Sequence, residues 1–278
     1  MLSIEDHRRD SAGLTYVYPV VSRRARGVSV GVNLNVNNAC NWACAYCQVE
    51  GLTRGGPPPI DLDRLADELD RFLEDATTGD FMERAVPSEA RRLVDVAFSG
   101  NGEPTSAAEF PEAVRLVRVA LERRGLLPQV KIRLITNGSF MHRPAVQEGV
   151  RAIGEAGGEV WFKVDRIGEA ATKAVNGVPS APATVRRNLE ACAGLASTWV
   201  QTCWFALDGS APSLAEREAY CDFLRPLADR LAGIHLYGLA RPSLQPGADR
   251  LGRLDAEILE AWASEIQKET GIKVLVSP

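Results

Sequence analysis

The sequence predicts an α/β protein: a parallel sheet in one domain, built from six βα units. Three observations predict it. Short runs rich in β-branched residues alternate with segments whose apolar residues recur at three- and four-residue spacing. The two kinds follow one another along the chain, which asks for parallel pairing through right-handed crossovers. Each predicted strand also ends in polar residues, and parallel α/β folds bind ligands at those ends.

The strand candidates are VSVGVNLNV (28–36), VDVAFSG (94–100), VKIRLITNG (130–138), EVWFKVD (159–165), TWVQTCWFALDG (198–209) and GIHLYGLARP (233–242), with IKVLVS (272–277) closing the chain. Helical spacing is clearest in 61–76, 110–125, 213–233 and 254–271. Asp61, Ser213 and Asp255 are the expected N-caps, and Gly125, Gly233 and Gly271 the expected stops. Six units exceed a small flavodoxin-like sheet and fall short of an eight-unit barrel. No linker divides the chain, so one domain is expected.

At 278 residues, with 45% apolar and 24% charged residues, the composition is that of an ordinary globular enzyme. The start, MLSIEDHRRD, has no apolar stretch, and no run nears the roughly 18 apolar residues of a membrane helix. A cytoplasmic protein with reduced thiols is therefore expected, and no membrane association. The net charge of −4 gives no overall positive potential. Arg8, Arg9, Arg23, Arg24, Arg26 and Arg54 nevertheless gather around the first strand and the cysteines in sequence. They read as a phosphate-facing patch or as an ordinary solvated surface.

Three of the six cysteines fall in CNWACAYC (40–47). At C-x3-C-x2-C spacing Cys40, Cys44 and Cys47 can turn toward one centre. A structural zinc ion wants four protein ligands, and no histidine or further cysteine stands at a finger spacing. An iron–sulfur cluster, a zinc site and buried free thiols all remain open on spacing alone. Cys192, Cys203 and Cys221 fall in apolar patterns and read as small core residues. Trp199 and Trp204 read as core and rim.

The other strand ends carry SGNGEPT (99–105), TNGS (136–139) and KVD (163–165). Gly100 and Gly102 let the backbone approach a ligand, and Glu103 beside them could accept from an ammonium. A tight turn with a solvent-facing glutamate is the plainer alternative. Asn137-Gly138 is a routine turn pair. Lys163 and Asp165, two apart on a strand, share a face. They read as a structural ion pair or as contacts to substrate or cofactor.

CNWACAYC with Tyr46 in its aromatic slot, followed by SGNGEPT after the next strand, resembles the radical S-adenosylmethionine (SAM) superfamily. FSGNGEPT, LITNGS and the KVD strand are most similar to the branch containing tRNA wyosine synthase. The resemblance runs from about residue 16 to the end. It implies a partial (βα)6 TIM-like barrel over 28–278, preceded by an N-terminal extension (1–27) with the arginine cluster. One [4Fe–4S] cluster is implied on Cys40, Cys44 and Cys47, with the fourth iron chelated by SAM. Gly100, Gly102 and Glu103 would hold the methionine ammonium and Tyr46 the adenine. Thr136, Asn137 and Ser139 would approach the ribose or carboxylate. Lys163 resembles a substrate-side lysine of that branch, and Asp165 is grouped with it as catalytic. The chain lacks that branch's upstream cysteines, so no second cluster and no wyosine reaction is carried over.

The function implied is one-electron cleavage of SAM to a 5′-deoxyadenosyl radical, supplied by a reductant such as flavodoxin or ferredoxin and aimed at RNA, tRNA in particular. A small metabolite or peptide is the second expectation. A metal-binding module without turnover is the third, against which the glycine–glutamate motif weighs.

Overall fold

A computed structural model describes Leu2 and residues 13–22 and 27–278. Arg8, Arg9, Arg23, Arg24 and Arg26 lie outside the described residues. In chain order the elements are β1 (Val17–Ser22), β2 (Gly27–Val32), the two-residue strands β3 (Ala39–Cys40) and β4 (Thr53–Arg54), α1 (Leu62–Thr77) and α2 (Phe81–Ala85). Then come β5 (Leu93–Phe98), α3 (Phe110–Arg123), β6 (Lys131–Thr136), α4 (Pro144–Glu155), β7 (Glu159–Lys163), α5 (Glu169–Asn176) and α6 (Pro182–Ala193). The chain closes with β8 (Ser197–Cys203), β9 (Ala206–Leu207), α7 (Leu214–Leu224), β10 (Gly233–Tyr237), β11 (Leu251–Gly252), α8 (Ala256–Thr270) and β12 (Val274–Ser277).

Eight strands form one curled sheet in the order β1-β2-β5-β6-β7-β8-β10-β12. Six consecutive pairings are parallel, and only β1 runs antiparallel, against β2. The sheet does not close, since β1 and β12 are not neighbours. This is the expected partial barrel. The edge strand β1, which was not anticipated, contains Pro19, and a residue without an N–H belongs at a sheet edge.

Local chemistry explains where elements start and stop. Asp61 caps α1 by accepting from the Arg64 amide at 3.0 Å, and Ser213 with Glu216 forms a capping box on α7. The helix expected over 213–233 ends at Leu224, because Pro226 has no N–H to continue it. Gly233, expected as its stop, instead begins β10. The strand expected over 28–36 ends at Val32, where Asn33 and Asn35 turn their side chains onto nearby backbone. The strand expected over 198–209 is split into β8 and β9. Helices α4, α5 and α6 add to the pattern read from sequence, and two of them begin at a proline in the first turn.

The core lies between the sheet's outer face and the helices. Phe98 of β5 meets Phe110 of α3 edge-on at 5.6 Å between centroids, both fully buried. Leu65, Leu69, Phe72 and Leu73 of α1 bury the stripe facing the sheet. Each such side chain contributes about 1.5–3 kcal/mol relative to exposure. Among the described residues no helix is long and apolar enough to cross a membrane.

One buried charge ties α1 to the sheet. Glu68, 1% exposed, accepts from the backbone N–H of Thr15, Tyr16 and Val17 and from Arg64. Burial raises its pKa, but these donors outweigh it and hold the carboxyl below its ordinary range. A depressed carboxyl gives stability that is complete above the unfolded value, about 4.3, and is lost as pH falls through the folded value. We expect Glu68→Gln to cost about 2 kcal/mol at pH 7. The gap between variant and wild-type melting should narrow below about pH 4; a gap that is constant down to pH 2 would refute the assignment.

Candidate active site

Beyond β2 the chain turns over the C-terminal mouth of the sheet as the cysteine loop. Cys40 ends β3, and Cys44 and Cys47 lie on the loop that follows. All three thiols are free and line one cavity of about 290 Å³. Among the described residues no other cysteine and no histidine lines it. Among the described residues no three His, Cys, Asp or Glu side chains converge on a single ion position. A multi-iron cluster asks for something different, each thiolate on its own iron. Burial raises the Cys40 thiol to about 11, with Trp42 N–H opposing, and the Cys44 thiol to about 12.

The asparagines around the cysteines hold the loop to the strand ends. Asn35 donates to the Ala39 carbonyl at 3.0 Å, and the Asn101 side chain donates to that of Asn38 at 2.6 Å. Asn41 donates to Ser139 at 2.7 Å and accepts from Asn137 at 2.9 Å. The far side is held by the segment after β10: Ser243 donates to the Ala45 carbonyl at 2.6 Å and Gln245 to that of Val49 at 2.7 Å. Asn41, Ser243 and Gln245 were not found from sequence.

Of the residues expected in the site, Tyr46, Gly100, Gly102, Glu103, Asn137 and Lys163 line the cavity with the cysteines. Thr136, Ser139 and Asp165 stand behind its wall. The two glycines serve close packing against protein: a Cβ on Gly100 would lie 2.4 Å from Asn33 Oδ1, and one on Gly102 would lie 2.2 Å from the Ala39 carbonyl. Glu103 is no solvent-facing turn residue. It is 3% exposed and accepts from Thr105 Oγ1, Thr136 Oγ1 and the Asn137 amide at 2.6–2.7 Å. Burial raises its pKa against the pull of those donors.

Lys163 and Asp165 meet through Tyr46. The ammonium donates to the Tyr46 hydroxyl at 2.5 Å, which donates to Asp165 Oδ2 at 2.5 Å. Asp165 also accepts from the Cys203 amide and from Asn176 at 2.8 and 2.7 Å. Burial raises the pKa of Tyr46, and Asp165 adds to it. Burial disfavours the Lys163 ammonium, yet Tyr237, Asp165 and the neighbouring thiols raise its pKa above the ordinary value. Lys163 is thus a held cation at the cavity wall.

The cavity reaches down the lumen to a polar floor that the motifs gave no hint of. Asp95 accepts from Ser29 and Arg133, and Arg133 bonds Glu159 at 3.1 Å, which bonds Lys131 at 2.6 Å. The Arg133 guanidinium lies 4.3 Å over Trp161, and His235 packs between Trp161 and Trp199. Burial raises the Asp95 carboxyl despite Arg133.

The open, curled sheet with its cysteine loop over the C-terminal mouth is the partial barrel of radical SAM enzymes. In particular, the chain is similar in structure to a radical SAM methyltransferase from Sphaerobacter thermophilus, with a TM-score of 0.61 and 17% identity over 94% of this chain and 68% of that one. It is similar to anSMEcpe with bound AdoMet at TM-score 0.56 and 15% identity, covering 88% of this chain and 63% of that one. A spore photoproduct lyase variant gives TM-score 0.54 and 13% identity over 93% of this chain and 78% of that one. At such identities the likeness is one of fold. No family model matches the sequence, and no curated protein matches it.

Proposed function

We propose that this chain is a cytoplasmic radical SAM enzyme that acts on RNA, tRNA in particular. The observation that carries the radical SAM reading is the set of three thiols on one cavity, with no fourth cysteine or histidine beside them among the described residues. That donor set fits a [4Fe–4S] cluster with one iron left for a small molecule. Cys40, Cys44 and Cys47 would hold the cluster. When bound, cluster and SAM together supply a hydrogen-abstracting radical by reductive cleavage of SAM.

The chain's own residues then bind, orient and exclude water. Gly100, Gly102 and Glu103 form the shelf beside Cys40, where the methionine end of SAM would lie. Thr136, through Glu103, and Asn137 and Ser139, through Asn41, fix that shelf against the cysteine loop. Tyr46 forms the wall next to the adenine position, and Lys163 offers an ammonium to substrate with Asp165 holding its partner Tyr46. The half-buried thiols would shed protons on taking up iron, since thiolates are the ligands.

The RNA reading is supported by the likeness of FSGNGEPT, LITNGS and KVD to the wyosine branch, and by exposed Arg54 next to the cysteine loop. On this reading a target base would have to leave its stack to approach the cavity mouth. The charged floor of Asp95 and Arg133 favours a second reading, a small polar metabolite or peptide.

Anaerobic reconstitution with iron and sulfide should give about four irons per chain and, with a flavodoxin or dithionite as reductant, 5′-deoxyadenosine from SAM. Zinc alone, or no cleavage, would sink the radical reading. Comparing modified nucleosides in tRNA from a deletion strain and its parent separates the substrates. A missing nucleoside supports RNA; an unchanged profile moves the assignment to the small-substrate reading.

A further inference from the structure

The C-terminus of α5 is built against the cysteine loop. The last carbonyls of a helix have no partner within it. Here two of them are taken by the loop: the Ala43 amide donates to Asn176 O at 3.0 Å, and the Ala45 amide to Val175 O at 2.8 Å. These two bonds bracket Cys44. From the same residue the Asn176 side chain, 1% exposed, sends one N–H to Cys44 Sγ at 3.4 Å and the other to Asp165 Oδ2 at 2.7 Å. Both amide hydrogens are thereby used, so the amide cannot turn without losing its bond to Cys44 or to Asp165.

The placement has an electrostatic side. A helix C-terminus carries partial negative charge, which disfavours a thiolate close by. Bonding its carbonyls to loop amides occupies them, and the Asn176 N–H sets partial positive charge against the sulfur. Hydrogen bonds to ligating sulfurs favour the more negative, reduced state of a cluster and raise its reduction potential.

We propose that Asn176 is a positioning residue that fixes Cys44 and sets the reduction potential of the cluster bound there through its hydrogen bond to Sγ. This rests on the reading of Cys40, Cys44 and Cys47 as cluster ligands. Nothing in the cysteine motif marks Asn176, which lies 132 residues further along the chain.

The test is the midpoint potential of the protein reconstituted with ferrous iron and sulfide, measured by spectroelectrochemistry without SAM or substrate. Asn176→Leu keeps the volume and removes the donor; its potential should fall by about a tenfold change in the one-electron equilibrium, about 59 mV. Asn176→Ala, which adds no bulk, carries the same expectation if the leucine variant does not fold. Val175→Ala loosens the same helix end but keeps both amide bonds, and its potential should match wild type. An unchanged potential in a loaded Asn176 variant overturns the inference, as does an equal fall in Val175→Ala. If wild type itself takes up no cluster, it is the proposed function that fails, a result distinct from either of these.

Discussion

Cys44→Ala should fold normally and neither hold a [4Fe–4S] cluster nor cleave SAM. Folding should survive because the loop is tied by groups other than the thiol: the Ala43 and Ala45 amides, the Ala45 carbonyl to Ser243, and the Val49 carbonyl to Gln245. The thiol accepts one hydrogen bond, from Asn176, so truncation costs about 1 kcal/mol in stability. Cluster binding should suffer far more, since on the proposed reading one of the three protein-ligated irons loses its ligand. Cys203→Ser is the contrast. Its thiol belongs to a small apolar cluster with Val175 and Phe205 and does not line the cavity, so one cluster should remain. Iron analysis after reconstitution reads both variants. Full iron in Cys44→Ala would remove that cysteine from the ligand set, and a halved content in Cys203→Ser would reveal a second cluster.

The second large effect is expected in stability. Asp165→Ala removes the acceptor of three buried bonds, from Tyr46, Asn176 and the Cys203 amide. It also strips the Lys163 ammonium of the carboxylate behind Tyr46. Orphaned buried donors beside an uncompensated charge cost about 4 kcal/mol or more. For a chain of this size that lowers Tm by about 8–15 °C. Calorimetry decides it: a melt within about 2 °C of wild type would show that Asp165 is not the hub the geometry makes it. Both effects converge on one place, where β7, α5 and the cysteine loop share a single network of side chains.

Most of the frame was legible in sequence because each part of it repeats. The seven parallel strands are short β-branched runs, and α1, α3 and α8 carry their stripe over three or more turns. Errors fell where one residue overrides a pattern. Asn33-Leu34-Asn35-Val36 alternates like a strand, but the asparagine side chains bond nearby backbone and take it out of the ladder. Apolar spacing runs through Arg225-Pro226, but the helix cannot. Tyr46, Glu103, Asn137 and Lys163 were found as cavity residues because they sit in motifs beside strand ends. The direction of Glu103 was not legible, since its donors Thr136 and Asn137 come from the next strand. Asn176, Ser243 and Gln245 are single polar residues whose partners are 132–198 positions away, and a lone polar residue has no period to read. Asp95 and Arg133 were hidden for the same reason, inside strands that otherwise look like core.

The long reach of those anchors bears on how the protein is made. On a ribosome adding about 5–20 residues per second, CNWACAYC emerges well before the residues that hold it. Asn176 follows Cys44 by 132 residues, and Ser243 follows Ala45 by 198. For roughly ten to forty seconds the three thiols are therefore part of a nascent chain, outside any finished pocket. In the folded chain burial raises Cys40 and Cys44 to about 11 and 12. Iron offered during synthesis meets flexible, accessible thiols, and iron offered afterwards must enter a finished pocket and displace its protons. If the three thiols take up iron as proposed, the order of translation gives the cell an early and a late window for inserting it, with opposite demands on the machinery that delivers it.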